Sequence, residues 1–224
     1  MRVASPRSSG RAASGKIPVP RVVAVDARAP TSAALADAVG ALRAGRLVAF
    51  PTETFYGLGA AALTPAAVRR IFDVKGRPET KPLLVLVDSI AMVARLATDV
   101  PERARTLMAR HWPGALTLVL NARAEVPVEV TAGSATVGVR LSAHPVAQAL
   151  VRALGQPITA PSANPSGMAP PTTAAGVVAY FARGVEVVLD GGTTPGGAPS
   201  TVLDVTVDPP RLLRAGAVEI AECA

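Results

Sequence analysis

The sequence predicts an α/β fold: a single domain with a twisted, mixed β-sheet and flanking helices. The first observation is that short apolar runs alternate with stretches whose apolar residues recur at helical spacing. The second is a composition that is 50% hydrophobic and only 3% aromatic, which suits a buried core of Ala, Val and Leu. The third is that the 224 residues contain no repeat of fixed period.

Short apolar runs predict the strands. In chain order these are Val22–Val25, Leu47–Phe50, Leu83–Val87, Leu116–Leu120, Thr136–Leu141, Ile158–Ala160, Val185–Leu189 and Thr201–Val205. Helical spacing, capping residues and glycine stops predict the helices between them. These are Thr31–Ala44, Pro65–Val74, Ile90–Leu96, Pro101–His111, Pro145–Leu154 and Thr173–Ala182. Thr31 or Ser32, Thr64 and His144 are expected to cap helix starts, and Gly155 to end a helix.

The net charge of +7 lies mainly in residues 1–21, which hold five basic residues and no acidic one. The rest of the chain has 18 basic and 16 acidic residues. Residues 1–21 are rich in Ser, Gly, Pro and Arg and lack hydrophobic periodicity, so we predict a disordered basic tail. The same composition fits an organellar transit peptide, which we favour less than a simple solvated extension.

Several classes of protein are excluded by composition. No apolar run reaches the ~18 residues of a membrane span, so a membrane protein is not expected. Cys223 is the one cysteine, which excludes an internal disulfide and a cysteine-based zinc site and makes a cytoplasmic protein the default. The two histidines, His111 and His144, have no metal-binding spacing. The glycine patterns of P-loops and dinucleotide-binding folds are missing as well.

Polar residues follow a buried strand in the segment Pro51–Gly59, which reads PTETFYGLG. Two hydroxyls and a carboxylate emerge there beside glycines that allow close approach of a ligand. A ligand site and an ordinary strand-to-helix turn are equally compatible with this segment alone.

A basic segment, Lys75–Pro82, places three cations between a helix and a buried strand. Arg and Lys together suit a triphosphate, whereas most charge runs are solvated loops. Two prolines stiffen the segment and lysine is otherwise almost absent from the chain, so we favour the phosphate function.

Three further segments carry polar groups at strand ends. In TVGVR, Arg140 ends a β-branched run, where burial favours either a ligand anion or a structural ion pair. In Ala160–Gly167, Ser162 and Asn164 with backbone amides can bind phosphate oxygens, or can simply form a turn. Near the C-terminus, Ser200 and Arg214 can reach a site or lie on the surface.

Taken together, these segments resemble the YrdC-like L-threonylcarbamoyladenylate synthases. The resemblance runs from about Val22 to Val218 and rests on seven motifs in order: PTETFYGLG, KGRPETKPL, WPGALTLVL, TVGVRL, APSANPSG, ST and LLRAG. It implies a YrdC-like catalytic domain over residues 22–218, with a basic concave groove and a short C-terminal tail over 219–224. It also implies the short form of the family, which has no additional C-terminal domain.

The implied reaction converts L-threonine, bicarbonate and ATP to threonylcarbamoyl-AMP and pyrophosphate, which is adenylyl transfer. Mg²⁺ is expected with ATP, and a partner transferase is expected to use the product to make N6-threonylcarbamoyladenosine in tRNA. The resemblance assigns Thr54, Arg140 and Ser200 to threonine, and Lys75 and Arg77 to catalysis. It assigns the following residues to ATP: Arg77, Lys81, Thr136, Ser162, Asn164 and Arg214. It assigns no metal ligand.

Two alternatives remain open from the sequence. A non-enzymatic RNA-binding module would use the same basic groove, although the core charge is low and aromatic residues are few. Weak contact of the enzyme itself with RNA is also compatible. A related carbamoyl-transfer domain would use carbamoyl phosphate and normally belongs to a larger chain.

Overall fold

The computed structural model describes residues 19–76 and 80–220, which contain ten strands and seven helices. The strands are β1 (Arg21–Ala24), β2 (Val48–Pro51), β3 (Tyr56–Gly59), β4 (Leu84–Leu86), β5 (Leu116–Asn121), β6 (Thr136–Arg140), β7 (Ile158–Thr159), β8 (Val187–Asp190), β9 (Thr201–Asp204) and β10 (Arg211–Arg214). The helices are α1 (Ser32–Arg43), α2 (Pro65–Lys75), α3 (Ile90–Val93), α4 (Glu102–His111), α5 (Val128–Thr131), α6 (Pro145–Leu154) and α7 (Ala174–Tyr180). The mixed α/β fold class is therefore confirmed.

The strands divide into two sheets, which the sequence pattern did not indicate. The four-stranded sheet has the order β1-β8-β2-β3, and only the β2–β3 pair in it is antiparallel. The six-stranded sheet has the order β10-β9-β5-β6-β4-β7. Isolated bridges join the two sheets at Gly57 with Ser162 and at Ala61 with Ile158. The sheets therefore meet along β3 and the segment that follows β7.

Apolar side chains from both sheets and from the helices form one hydrophobic cluster. Phe50 and Tyr56, from the paired strands β2 and β3, are fully buried in it. Helix α1 packs against α6 and β8, so the helices cover the sheet. Phe50 and Tyr56 flank the polar turn between β2 and β3, so their close packing holds both ends of that turn in place.

Several local predictions are confirmed. The Thr31 hydroxyl caps α1 by accepting from the Ala34 amide, and His144 Nδ1 caps α6 by accepting from the Val146 amide. Gly155 ends α6 in the left-handed conformation. Thr64 is the N-cap residue of α2, as predicted, although its side chain makes no capping hydrogen bond among the described residues.

Three elements depart from the predictions. Pro51–Gly59 is not a simple connection, because Tyr56–Gly59 forms β3 and pairs with β2 as a hairpin. The short helix α5 and the exposed strand β10 were not predicted. Arg21, which we had placed in the basic tail, is the first residue of β1 and pairs with Val187. The rest of that predicted tail lies outside the described residues, except for 19 and 20, and so do residues 221–224 of the predicted C-terminal tail.

Within residues 19–76 and 80–220, no helix has both the length and the apolar character needed to cross a membrane.

Candidate functional site

A cavity of about 450 Å³ lies between the six-stranded sheet and the hairpin formed by β2 and β3. Its volume is in the range of small-molecule sites. Six of the residues predicted for the site line it: Thr54, Thr136, Arg140, Ser162, Ser200 and Arg214. These residues come from five separate segments of the chain, so the fold brings together what the sequence keeps apart.

Two rows of paired residues on the six-stranded sheet form the floor. Arg214, Val202 and Thr117 are paired across β10, β9 and β5. Leu84, Gly138 and Val119 are likewise paired across β4, β6 and β5. All six residues line the cavity. Because alternate residues of a strand face the same side, Thr136, Gly138 and Arg140 of β6 all face the cavity.

Arg140 is a buried guanidinium in the cavity wall, with 3% of its side chain exposed. Its Nε lies 3.6 Å from Glu53 Oε1, and neither atom has a hydrogen-bond partner in the described part of the chain. Burial lowers the pKa of Arg140, which the charge of Glu53 opposes and that of Arg214 reinforces. Of the two interpretations of Arg140, the structure shows the ion pair, and its loose geometry leaves the cation incompletely compensated.

The turn between β2 and β3 presents hydroxyl groups to the cavity. The Thr52 hydroxyl donates to the carbonyl of Phe55 at 2.6 Å and lies 3.0 Å from the Thr54 hydroxyl. Since the Thr52 proton is used, Thr54 donates to Thr52, and the Thr54 oxygen keeps its lone pairs for a donor in the cavity. Thr52 also lines the cavity and is a site residue that we did not assign, although it belongs to the PTETFYGLG motif.

Ser200 is the centre of a second polar group. Arg214 donates to the Ser200 carbonyl from Nε at 3.0 Å and from Nη2 at 2.7 Å, and Nη2 also donates to the Ser200 hydroxyl at 2.9 Å. The Thr117 hydroxyl lies 2.9 Å from the same Ser200 oxygen. Partial burial lowers the pKa of Arg214. Thr117 was not assigned either, and a lone hydroxyl within the apolar run LTLVL was the signal for it.

Ser162 is presented by a segment that is bound to β3. The amide of Leu58 donates to the Pro161 carbonyl at 2.7 Å, and that of Ala163 donates to the Tyr56 carbonyl at 2.8 Å. The Ser162 hydroxyl hydrogen-bonds to no group among the described residues, so it can bind a ligand oxygen. At the far end of β6, the Thr136 hydroxyl is 3.2 Å from that of Ser134.

Lys75 and Asn164 lie behind this segment and do not line the cavity. Lys75, 4% exposed at the end of α2, donates from Nζ to the carbonyls of Ser162 and Asn164. Asn164 Nδ2 donates to the carbonyls of Pro165 and Met168 at 2.9 and 2.7 Å. The structure therefore places both side chains where they shape the Ser162 segment, and their predicted roles in catalysis and ATP binding stay predictions.

Two further cations of the basic segment, Arg77 and Lys81, were predicted for the site. Lys81 is exposed and does not line the cavity, whereas its neighbour Pro82 does. Arg77 lies outside the described residues, so its predicted roles in catalysis and ATP binding stay predictions.

Comparison with known proteins gives one consistent family. The model of the Sua5/YciO/YrdC family, which is described as "Telomere recombination", matches residues 40–216. The chain is 49% identical to the threonylcarbamoyl-AMP synthase of Pyrococcus abyssi over 83% of its length, and 46% identical to that of Bacillus subtilis over 82%. In each case it spans 54% of the relative, so it covers about half the length of these curated relatives.

A relative of similar size and two solved structures agree with this. The threonylcarbamoyl-AMP synthase of Thiobacillus denitrificans is 39% identical over 78% of this chain and 91% of its own. The crystal structure of P. abyssi Sua5 complexed with L-threonine matches with a TM-score of 0.84 at 46% identity, over 87% of this chain and 57% of that one. Escherichia coli YciO matches with a TM-score of 0.83 at 25% identity, over 92% of this chain and all of that one.

Proposed function

The chain belongs to the Sua5/YciO/YrdC family, and we propose that it is a threonylcarbamoyl-AMP synthase that uses L-threonine, bicarbonate and ATP. The observation that carries the proposal is the cavity of about 450 Å³ into which Thr54, Arg140 and Ser200 converge with Thr136 and Ser162. Relatives at 39–49% identity carry the name of this activity, and the related P. abyssi protein has been solved with L-threonine bound.

The threonine end of the cavity is formed by Arg140, Thr54 and Ser200. Arg140 supplies a buried positive charge for the amino-acid carboxylate, because its charge is only loosely compensated within the protein. The free lone pairs of Thr54 accept a hydrogen bond from the amine or hydroxyl of threonine. Ser200, fixed by Arg214 and Thr117, adds a third polar contact whose position is well determined.

The nucleotide end is formed by Thr136, Ser162 and Arg214. In this proposal Arg77 and Lys81 supply further positive charge for the phosphates. The unpaired Ser162 hydroxyl and the Arg214 guanidinium bind phosphate oxygens in this proposal. Lys75 and Asn164 act by holding the Ser162 segment in place, which is how they serve both catalysis and ATP binding.

The chemistry needs orientation and charge stabilisation more than a protein base. Threonine and bicarbonate form a carbamate with loss of water, and a carbamate oxygen then attacks the α-phosphorus of ATP. The new P–O bond forms as the bond from the α-phosphorus to the bridging oxygen breaks, and pyrophosphate takes that electron pair. This is an adenylyl transfer, for which Arg77, Lys81 and Arg214 stabilise the charge that develops on pyrophosphate.

Magnesium enters with the nucleotide. The described residues contain no cluster of three or more His, Cys, Asp or Glu side chains that would hold a metal ion, and those that line the cavity are without carboxylates. Since Mg²⁺ in such sites is bound largely by substrate phosphates, we write the substrate as the Mg–ATP complex.

The RNA-binding alternative is not favoured. A phosphodiester backbone is bound by exposed cations along a groove, whereas Arg140 is 3% exposed. In the proposed function, RNA is reached through the product, which a tRNA threonylcarbamoyl transferase consumes. A cytoplasmic location remains part of this proposal.

Pyrophosphate release from ATP, with threonine and bicarbonate omitted in turn, tests the proposal. We expect release to need both compounds, Arg140→Ala to lower kcat/KM for threonine by about 10²–10³-fold, and Arg77→Ala to abolish ATP use. Arg69→Ala, in an ion pair with Glu129, is the matched control and should behave as the wild type. Release that ignores threonine, or that requires carbamoyl phosphate, would refute the proposal. Binding to RNA without nucleotide turnover would establish the RNA-binding module in its place.

A further inference from the structure

We propose that Glu53 is a positioning residue that fixes the Arg140 guanidinium for the carboxylate of the amino-acid substrate, an inference that rests on the proposed function. Glu53 lies in the turn between β2 and β3, between two threonines that both line the cavity, whereas Glu53 itself does not. Its side chain is 17% exposed. Its carboxylate is thus turned away from the space that its two neighbours face.

The two carboxylate oxygens of Glu53 contact two different places on the segment that ends β6. Oε1 lies 3.6 Å from Arg140 Nε, and Oε2 accepts a hydrogen bond from the Ser142 hydroxyl. Ser142 is itself 1% exposed, and its hydroxyl accepts from the amide of His144 at 3.2 Å. Glu53 therefore joins the β2–β3 turn to the residues just after β6.

This arrangement determines the position and the charge of Arg140 together. A guanidinium that is 3% exposed needs a nearby negative charge, and Glu53 provides the one ion pair that Arg140 makes among the described residues. The pair is not hydrogen-bonded, and neither Oε1 nor Nε has another hydrogen-bond partner among residues 19–76 and 80–220. Glu53 thus steadies the cation without saturating its hydrogen-bonding groups, so that a substrate carboxylate still gains from binding it.

The same contacts argue against a role for Glu53 as a general base. A base must reach the proton that it removes, directly or through one water molecule. Glu53 does not line the cavity, and its two oxygens face Arg140 and Ser142. Its role is therefore exerted through Arg140, and its loss should affect binding of the amino acid more than that of the nucleotide.

The substitution Glu53→Gln removes the charge and keeps the shape of the side chain. We expect the KM for threonine to rise about 10–100-fold, with the KM for ATP changed less than about threefold. Glu53→Asp, which keeps the charge, should recover part of the affinity for threonine. Glu129→Gln is the matched control. Glu129 is buried and, like Glu53, pairs with an arginine Nε, here that of Arg69 at 2.8 Å, but neither Glu129 nor Arg69 lines the cavity.

Titration calorimetry with L-threonine gives a second readout that does not depend on turnover. Ser142→Ala keeps the Glu53 carboxylate but removes the hydrogen bond to Oε2, so it should weaken threonine binding in the same direction by a smaller factor. It decides the question if Glu53→Gln fails to fold.

Four results would overturn the inference: an unchanged threonine KM in folded Glu53→Gln, equal rises for threonine and ATP, the same change in Glu129→Gln, or unaltered threonine binding in Ser142→Ala. Failure of the proposed function is distinct, since it would appear as wild-type protein that releases no pyrophosphate in response to threonine.

Discussion

Gly216 lies where the segment after β10 crosses the chain just before β9, and replacing it with alanine should disable the site. A Cβ atom there would be 2.3 Å from the Pro199 carbonyl oxygen, 2.5 Å from the Thr201 nitrogen and 2.6 Å from the Ser200 carbonyl carbon. Contacts between non-bonded heavy atoms are normally about 3.5 Å. Because all three atoms belong to the backbone, no side-chain rotation relieves the overlap, and the two segments must separate by about 1 Å.

That displacement breaks the contacts that fix Ser200. The three hydrogen bonds from Arg214 to Ser200 are 2.7–3.0 Å long, and that from the Ala217 amide to the Pro199 carbonyl is 2.8 Å. Lengthening them by about 1 Å takes them beyond hydrogen-bonding distance. We expect a fall of about 10²-fold in kcat/KM for threonine, which is the usual effect of a 1 Å misplacement. The free energy of unfolding should fall by only about 1–3 kcal/mol.

Steady-state pyrophosphate release and chemical denaturation measure the two effects. Gly40→Ala is the matched control, because a Cβ at this position in α1 meets nothing within 4 Å, and it should raise stability by about 0.5–1 kcal/mol with unchanged activity. A Gly216→Ala protein with wild-type kcat/KM would show that the position of Ser200 does not limit the reaction. A loss of activity no larger than its loss of folded protein would contradict the reasoning equally.

Two further predictions concern the floor of the cavity and the start of α6. Gly138→Val should abolish substrate binding measured by calorimetry, because the new side chain enters the cavity. The melting temperature should be nearly unchanged, because a Cβ at this position makes only a 3.4 Å contact, with Thr117 Cγ2. Retained binding would refute this role of the floor. Burial lowers the pKa of His144, and the charge of Glu53 offsets part of this effect. As the pH drops, the unfolded state therefore binds the proton at a higher pH than the folded state does. The free energy of unfolding should fall as the pH drops from about 7 towards 5. His144→Asn keeps a capping oxygen for the Val146 amide and should flatten that pH dependence in denaturant titrations, whereas an unchanged slope would exclude His144 as its source.

The apolar strands were predictable because a buried strand can be recognised from its apolar side chains alone. Leu84–Leu86 and Leu116–Asn121 are buried over most of their length, and the sequence pattern of such strands is nearly continuous apolar residues. Tyr56–Gly59 was missed since two of its four residues are glycines, which weaken a strand pattern. Arg211–Arg214 was missed because all four residues are exposed, so no alternation of polar and apolar residues marks it.

The candidate site was predictable in composition but not in geometry. The residue types left Thr54, Arg140 and Ser200 open as site residues, and the resemblance to a known family assigned them; all three line the cavity. The sequence could not show that β5 lies between β6 and β9, which is what brings Thr117 to Ser200. It also could not separate the lining residues from Lys75, which supports the site from behind, since both kinds belong to the same motifs.

The site as described has few groups that can transfer protons. Among the described residues, its polar lining consists of threonine and serine hydroxyls, Tyr56 and two arginines, without a histidine or a carboxylate. The Tyr56 hydroxyl is already used, because it donates to the Gly192 carbonyl at 2.7 Å. In the proposed reaction the nucleophile comes from the substrates, as the carbamate, and the rate then depends on how accurately the two substrates are held. Accuracy in this fold is set by backbone contacts between distant strands, such as the crossing at Gly216 and the joining of β3 to the Ser162 segment. For this reason we expect small changes at those crossings to lower activity strongly, even at positions that contact no substrate.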